Sequence, residues 1–239
     1  MRVFFAGAGG AIGRRLTPLL RAAGHSVVGT TRSADKADAI ARLGAEPVVV
    51  DVFNAGELAR VVGAARPDAI IHQLTDLAFT PDSPQYAEGL ARNARLRVEG
   101  TRNLVSAARG AGVRRMIAQS IAFIYAPGAG ARVESDSLLP AEGAMAQSVS
   151  AVTSLEGAVQ SMPEGIVLRY GFFYGPGTWS PDKPSRAPAL HIDAAAQATL
   201  LALNKGKPGI YNVAEDDASL SSEKAKRDLG FDARFRIRS

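Results

Sequence analysis

The sequence predicts an α/β fold of Rossmann type, a doubly wound parallel sheet with helices on both faces. Two observations predict it. Apolar runs of strand length alternate with helix-length segments over the first 170 residues, and the first run, Arg2–Ala6, passes through Gly7-Ala-Gly-Gly10-Ala-Ile-Gly13 straight into a helical segment. In that turn Gly7 allows the tight bend, Gly10 lets the backbone approach a pyrophosphate, and Gly13 lets the helix pack closely on the strand. The helix start, at Gly10, Ala11, Ile12 and Gly13, offers free N–H groups and the positive end of a dipole to phosphates. A nucleotide-binding first βα unit is the reading.

The remaining elements follow in order. Ser26–Thr30 reads as the second strand, 34–43 as a helix, Pro47–Val50 as the third strand and 55–64 as a helix. Ala69–His72 is the fourth strand, 86–110 a long helix stopped by Gly110-Ala-Gly112, and Arg115–Ala118 the fifth strand. A helix over 148–161 and a sixth strand over Gly165–Arg169 complete the alternation. Segments 126–146 and 178–190 are rich in Gly, Ala, Pro and Ser and read as loops near a ligand. The expected organisation is a dinucleotide-binding domain over 1–170 and a small, reduced substrate lobe over 171–239, interleaved with the last sheet elements in one compact unit.

Composition narrows the functional classes. The 239 residues are 46% hydrophobic, enough for a sizeable core, and contain no Cys and three scattered His, so neither disulfides, a thiolate nucleophile nor a metal site is expected. The net charge of +5 comes from arginines spread along the chain, without the dense basic run or interleaved aromatics of a nucleic-acid surface. No apolar run reaches membrane-spanning length and the first strand begins at Arg2, so a cytoplasmic protein without membrane attachment is expected.

The end of the second strand decides which dinucleotide is expected. An acid there would accept hydrogen bonds from a free ribose 2′-hydroxyl; instead Gly29-Thr-Thr-Arg32 places a guanidinium that can grip a 2′-phosphate, with Ser33 and Lys36 close by. NADP(H) is therefore expected over NAD(H). Asp51, after the third strand and followed by Val52, stands where an acid can accept from the adenine amino group or cap the next helix.

With these motifs in place the chain resembles the extended short-chain dehydrogenase/reductase family, of the NAD-dependent epimerase/dehydratase type. Gly7-x-x-Gly10-x-x-Gly13 matches its opening glycines. The stretch Ile71-His-Gln73-Leu74-Thr75 resembles the segment that passes over the cofactor, and Glu99-Gly-Thr-Arg-Asn-Leu104 the long-helix motif. Gln119-Ser120-Ile-Ala-Phe-Ile-Tyr125 resembles the serine-bearing end of strand five, Leu168-Arg-Tyr170-Gly-Phe172-Phe-Tyr-Gly-Pro-Gly177 the segment after strand six, and His191-Ile-Asp193 a later structural motif. The resemblance implies that Gln73, Leu74, Thr75, Ser120, Tyr170 and Phe172 face the cofactor. It also implies an enzyme of oxidoreductase or epimerase type acting on a small polar, sugar-like or carbonyl metabolite, with a homodimer as a common arrangement.

One departure bears on the chemistry. The family's Tyr-x-x-x-Lys pair lets a lysine lower a tyrosine pKa so that the phenol can pass a proton. Four residues after tyrosines 86, 125, 170, 174 and 211 come Leu90, Ala129, Tyr174, Thr178 and Glu215. Alignment on Leu155-Glu156 puts Ser148 at the tyrosine position and Val152 at the lysine position. Ser120 and Tyr125 are then the candidate catalytic hydroxyls, and a non-catalytic NADP(H) sensor is the alternative function. Arg97 stands where the family often has an asparagine, and can face an anionic substrate or pair with a carboxylate. The stretches 178–191 and 217–222 are shorter than in relatives: either the substrate cap is lost, or the numbering closes over mobile residues.

Overall fold

A computed structural model describes residues 1–77, 80 and 82–237. Seven parallel strands form its main sheet: β1 (Arg2–Ala6), β2 (Ser26–Thr31), β3 (Glu46–Val49), β4 (Ala69–His72), β5 (Arg115–Ile121), β6 (Glu164–Tyr170) and β9 (Gly209–Val213). Their order, β3-β2-β1-β4-β5-β6-β9, reverses direction between β1 and β4. All seven point the same way, so their C-terminal ends share one edge and the reversal opens a crevice there.

The strands run apolar because both faces are covered. Adjacent residues alternate between two cores: Phe5 and Ile71 join Leu16, Tyr170 and Ile192 on one face, while Phe4 and Ile70 join Leu58, Leu104 and Met116 on the other. The first face is covered by α1 (Ala11–Ala22) and by α7 (Ile192–Lys205), which pack on each other. Helices α3 (Ala55–Ala65), α5 (Thr101–Gly110) and α6 (Ala146–Gln160) cover the second. Helix α2 (Ala37–Arg42) follows a single 3-10 turn at Ala34–Lys36.

Local chemistry sets several boundaries. Asn54 starts α3 by accepting from the Glu57 N–H at 3.1 Å, and α3 stops at Arg66, whose φ of 44° precedes Pro67. The long helix expected over 86–110 is present with one irregular turn: α4 (Tyr86–Arg95) widens to π geometry over Leu96–Gly100 before α5 resumes α geometry. Such single π turns accompany functional sites. Two elements expected as shorter strands run further at the cleft edge, β5 to Ile121 and β6 to Tyr170.

Beyond Tyr170 the structure adds elements that hydrophobic periodicity did not call out. A two-stranded parallel ribbon pairs β7 (Phe172–Tyr174) with β8 (Ala189–His191). The alanine-rich α7 follows at once, capped by His191 accepting from the Asp193 N–H at 3.1 Å, and α8 (Glu223–Leu229) packs beside β9. Asp193 is held by Arg15 at 2.6 Å and by the Ile237 N–H at 3.0 Å, which ties α7 to α1 and to the C-terminal strap. No helix among the described residues is long and apolar enough to cross a membrane.

Candidate active site and dinucleotide cleft

A cleft of about 1050 Å³ opens at the C-terminal edge of the sheet over the β1–β4 reversal. Its floor is the glycine turn. Gly7 has φ +105°, and a Cβ there would lie 2.8 Å from the Gln73 carbonyl, so the turn and the end of β4 are in direct backbone contact. The Gly10 N–H donates to Gly7 O at 3.0 Å and closes the turn. Helix α1 then begins with no side-chain cap and no acid in its first turn, leaving its N-terminal N–H groups for a ligand.

Ten of the expected cofactor residues line this one cleft: Gly7, Gly10, Ala11, Arg32, Lys36, Asp51, Val52, Gln73, Leu74 and Thr75. Arg32 is exposed at the end of β2 and pairs with no carboxylate among the described residues. Asp51 accepts from the Phe53 N–H at 3.0 Å; the cap of α3 is Asn54, so the Asp51 carboxylate keeps acceptor capacity toward the cleft. Gln73 supplies an orphan. Its amide donates to the Tyr170 hydroxyl at 3.3 Å and to Thr199 Oγ1 at 3.4 Å, while its buried Oε1 has no partner. A cradle of free backbone donors, an unpaired guanidinium and an orphaned acceptor fits a dinucleotide.

The other expected residues sit elsewhere. Ile12 is in the core and Gly13 is the contact between α1 and the turn. Ser33 turns away to hydrogen-bond Asp35. Tyr170 lies beneath the cleft, where burial pushes its phenol up to about 12, and reaches the ligand space only through Gln73. Phe172 stacks on Phe123, 4.0 Å between centroids, outside the cleft lining. Four residues not singled out from sequence also shape the cleft. Arg14 follows Gly13 in the first turn of α1, and Gly177, Thr178 and Trp179 form a strap across the opening, with Trp179 edge-on to Tyr86 at 6.4 Å. Arg14 had a readable signal, a cation beside a phosphate-binding helix start; Thr178 and Trp179 open the segment 178–190 that reads as a loop near a ligand, but which of its residues reach the cleft is set only by tertiary folding.

Ser120 and Tyr125 belong to a buried network at the ends of β5 and β6. The Ser120 hydroxyl donates to Glu156 Oε1 at 2.6 Å, and Arg169 holds the same carboxylate with two bonds of 2.9 and 2.7 Å. Burial works against the charged guanidinium, but its bonds to Glu156 outweigh that cost and raise its pKa. Arg169 also donates to the Tyr125 hydroxyl at 2.6 Å, and that phenol donates in turn to Asn212 Oδ1 at 2.6 Å. Burial raises the Tyr125 pKa against the opposing charge of Arg169. Tyr125 also lines a separate pocket of about 240 Å³ with Phe123, Arg132 and Leu220. Val152 is fully buried against Ile121 and Ile124, so the position aligned with the family's lysine is an apolar contact.

His72, at the end of β4, is buried and neutral. Its Nδ1 accepts from the Leu74 N–H at 3.3 Å, which leaves Nε2 to donate to Thr101 Oγ1 at 2.9 Å. Burial, with Arg97 nearby, pushes its pKa down to about 4. An unfolded chain therefore binds this proton below about pH 6.5 while the folded chain refuses it. Stability should fall as pH drops from 6.5 toward 4, by about 3 kcal/mol from this group. Urea unfolding at pH 7, 5.5 and 4.5 checks this: the stability lost between pH 7 and 4.5 should be smaller in His72→Gln than in wild type by about 2 kcal/mol, and equal losses would contradict it.

Comparison with known proteins agrees with this geometry. Residues 3–208 match the family described as "NAD dependent epimerase/dehydratase family". A Streptomyces protein named 3-diazoavenalumate denitrifying reductase is 38% identical over 245 residues, covering 93% of this chain and 79% of the relative. Among solved structures, a UDP-glucose 4-epimerase from Thermotoga maritima with UDP-glucose superposes with TM-score 0.77 at 16% identity, covering 99% of this chain and 94% of that one. WbmG from Bordetella bronchiseptica in complex with NAD gives 0.73 at 19% identity, covering 99% and 90%. At these identities the structures establish the shared fold.

Proposed function

Because this chain belongs to the NAD-dependent epimerase/dehydratase family, we propose that it is an NADP(H)-dependent reductase that delivers hydride to a small electrophilic substrate without a tyrosine–lysine proton donor. The observation that carries the reading is the cleft itself, with the glycine turn at one end and unpaired Arg32 where an acid would select NAD(H). The N–H groups of Ala11 and Ile12 would hold the pyrophosphate, Asp51 the adenine, Arg32 and Lys36 a 2′-phosphate, and Gln73 Oε1 a donor on the ribose side. A reduced dinucleotide, when bound, supplies a hydride, and with a diazonium substrate that exchanges its C–N bond for a C–H bond and releases N₂ no proton is consumed.

That substrate class is the one the 38% identical reductase's name points to, and it suits the residues of this site. Position 152 need carry no charge, and position 148 no phenol. Tyr125 can keep its proton in the hydrogen bond it donates to Asn212 Oδ1. Ser120, tied to Glu156, orients the substrate rather than protonating it. For a carbonyl or sugar-like substrate the site would need a proton relayed from Ser120. The same loss of Tyr-x-x-x-Lys favours the second reading, a non-catalytic NADP(H) sensor.

Ser120→Ala separates the two. With an aryl diazonium carboxylate as substrate, wild type should oxidise NADPH, and Ser120→Ala should raise KM or lower kcat about 10–100-fold while NADPH binding stays unchanged. Unchanged turnover removes Ser120 from the site, and NADPH binding without turnover in wild type supports the sensor.

A further inference from the structure

We propose that Arg97 is a specificity residue that receives a carboxylate of the substrate. The inference rests on the reductase reading of the same site. Arg97 stands on the π turn 96–100, which packs against α6, and is only 6% exposed. Its guanidinium makes no hydrogen bond or ion pair with any described residue. A cation in that position carries a desolvation cost that no direct hydrogen bond or ion pair offsets.

The charges around it do not balance. The carboxylate that acts on Arg97 is Glu156, and Glu156 is already occupied by two bonds from Arg169 and one from Ser120. His72, on which the Arg97 charge also acts, is neutral and donates to Thr101. One carboxylate thus faces two guanidinium groups, leaving a net positive charge beside Ser120. Burial pushes the Arg97 pKa down to about 10, which still leaves it charged near neutrality.

The charged end is reachable. Among the described residues, the buried side-chain atoms without a partner are Thr17 Oγ1, His25 Nε2, Gln73 Oε1, Arg132 Nε and Gln197 Oε1. No Arg97 nitrogen is among them, so the small exposed part of this residue includes its guanidinium. Its neighbour Leu96 lines the cleft. An unpaired, planar guanidinium that is partly accessible beside a cleft-lining residue is suited to a bidentate carboxylate. Of the two roles open to this arginine, pairing with a carboxylate of its own chain is not the one it adopts.

The test titrates cinnamate and cinnamamide, equal in shape and different in charge, into wild type, Arg97→Met and Arg97→Lys, each with and without saturating NADP⁺. Wild type should bind cinnamate about tenfold or more tighter than cinnamamide. Arg97→Met should lose that preference and Arg97→Lys keep part of it, with NADP⁺ affinity unchanged in both. The thermal midpoint of Arg97→Met should not fall, because an unpaired buried charge has been removed. Equal binding of acid and amide by wild type, a preference that survives Arg97→Met, or a lowered midpoint marking a structural ion pair would each overturn the assignment. Absence of NADP⁺ binding would instead refute the dinucleotide reading, while the titrations without NADP⁺ would still report on Arg97.

Discussion

Replacing Arg169 by methionine should lower the stability of this protein by about 3–5 kcal/mol, the range seen when one partner of a buried ion pair is removed. Arg169 and Glu156 are each about 4–5% exposed in their side chains and share two hydrogen bonds. With the guanidinium gone, Glu156 would keep only the Ser120 hydroxyl as a direct donor and would face the interior with no ion-pair partner, the Arg97 charge lying beyond direct contact. Tyr125 would lose the donor to its phenol oxygen as well. Urea unfolding near pH 7 measures the loss. The double variant Glu156→Leu/Arg169→Met should recover much of it, because what destabilises is the stranded charge rather than the missing contact. A single-variant loss below about 1 kcal/mol would show that the pair is solvated and that the network is not a fixed support for Ser120.

Gly13→Ala should cost about 3 kcal/mol of stability and weaken dinucleotide binding about 100-fold or more. A Cβ at this position would lie 2.3 Å from the carbonyl oxygens of both Gly7 and Ala8, and backbone atoms cannot move aside as a side chain can. The start of α1 must therefore lift off the turn, and the N–H groups of Ala11 and Ile12 leave their places over the phosphate site. Gly63→Ala in α3, where nothing lies within 4 Å, is the matched control and should not lower stability. Thermal unfolding and NADPH titration of both variants check this; a Gly13→Ala protein as stable as the control would mean that the turn and helix are not in the contact described.

The sheet was legible because its strands are buried on both faces and so read as unbroken apolar runs: Ala69-Ile-Ile-His72 needs no other signal to be a central parallel strand. The glycine turn was legible because each glycine answers a steric need that the structure shows, at Gly7 against Gln73 and at Gly13 against the turn itself. The last third was harder. β7 and β8 are three residues each, too short for periodicity, and they pair across the 14 residues 175–188, outside the main sheet. Helix α7 is so alanine-rich and so fully buried that no polar face marks it.

At the site, proximity in sequence to a motif did not decide which side chains reach the ligand space. Tyr170 and Gln73 touch, and only Gln73 faces the cleft. Ser120 and Glu156 are 36 residues apart, and their contact is made only when α6 packs back on β5. The unpaired state of Arg97 depends on Arg169 having already claimed Glu156, a three-body arrangement that no spacing rule encodes.

The central claim is that the cleft over the glycine turn binds a dinucleotide and that Arg32 selects the 2′-phosphate. Parallel calorimetric titrations of wild type and Arg32→Ala with NADPH and NADH test it most directly. Wild type should bind NADPH at least about tenfold tighter than NADH, and Arg32→Ala should lose most of that difference by weakening NADPH alone. A folded wild-type protein that binds neither dinucleotide, or one that prefers NADH with Arg32 intact, would contradict it.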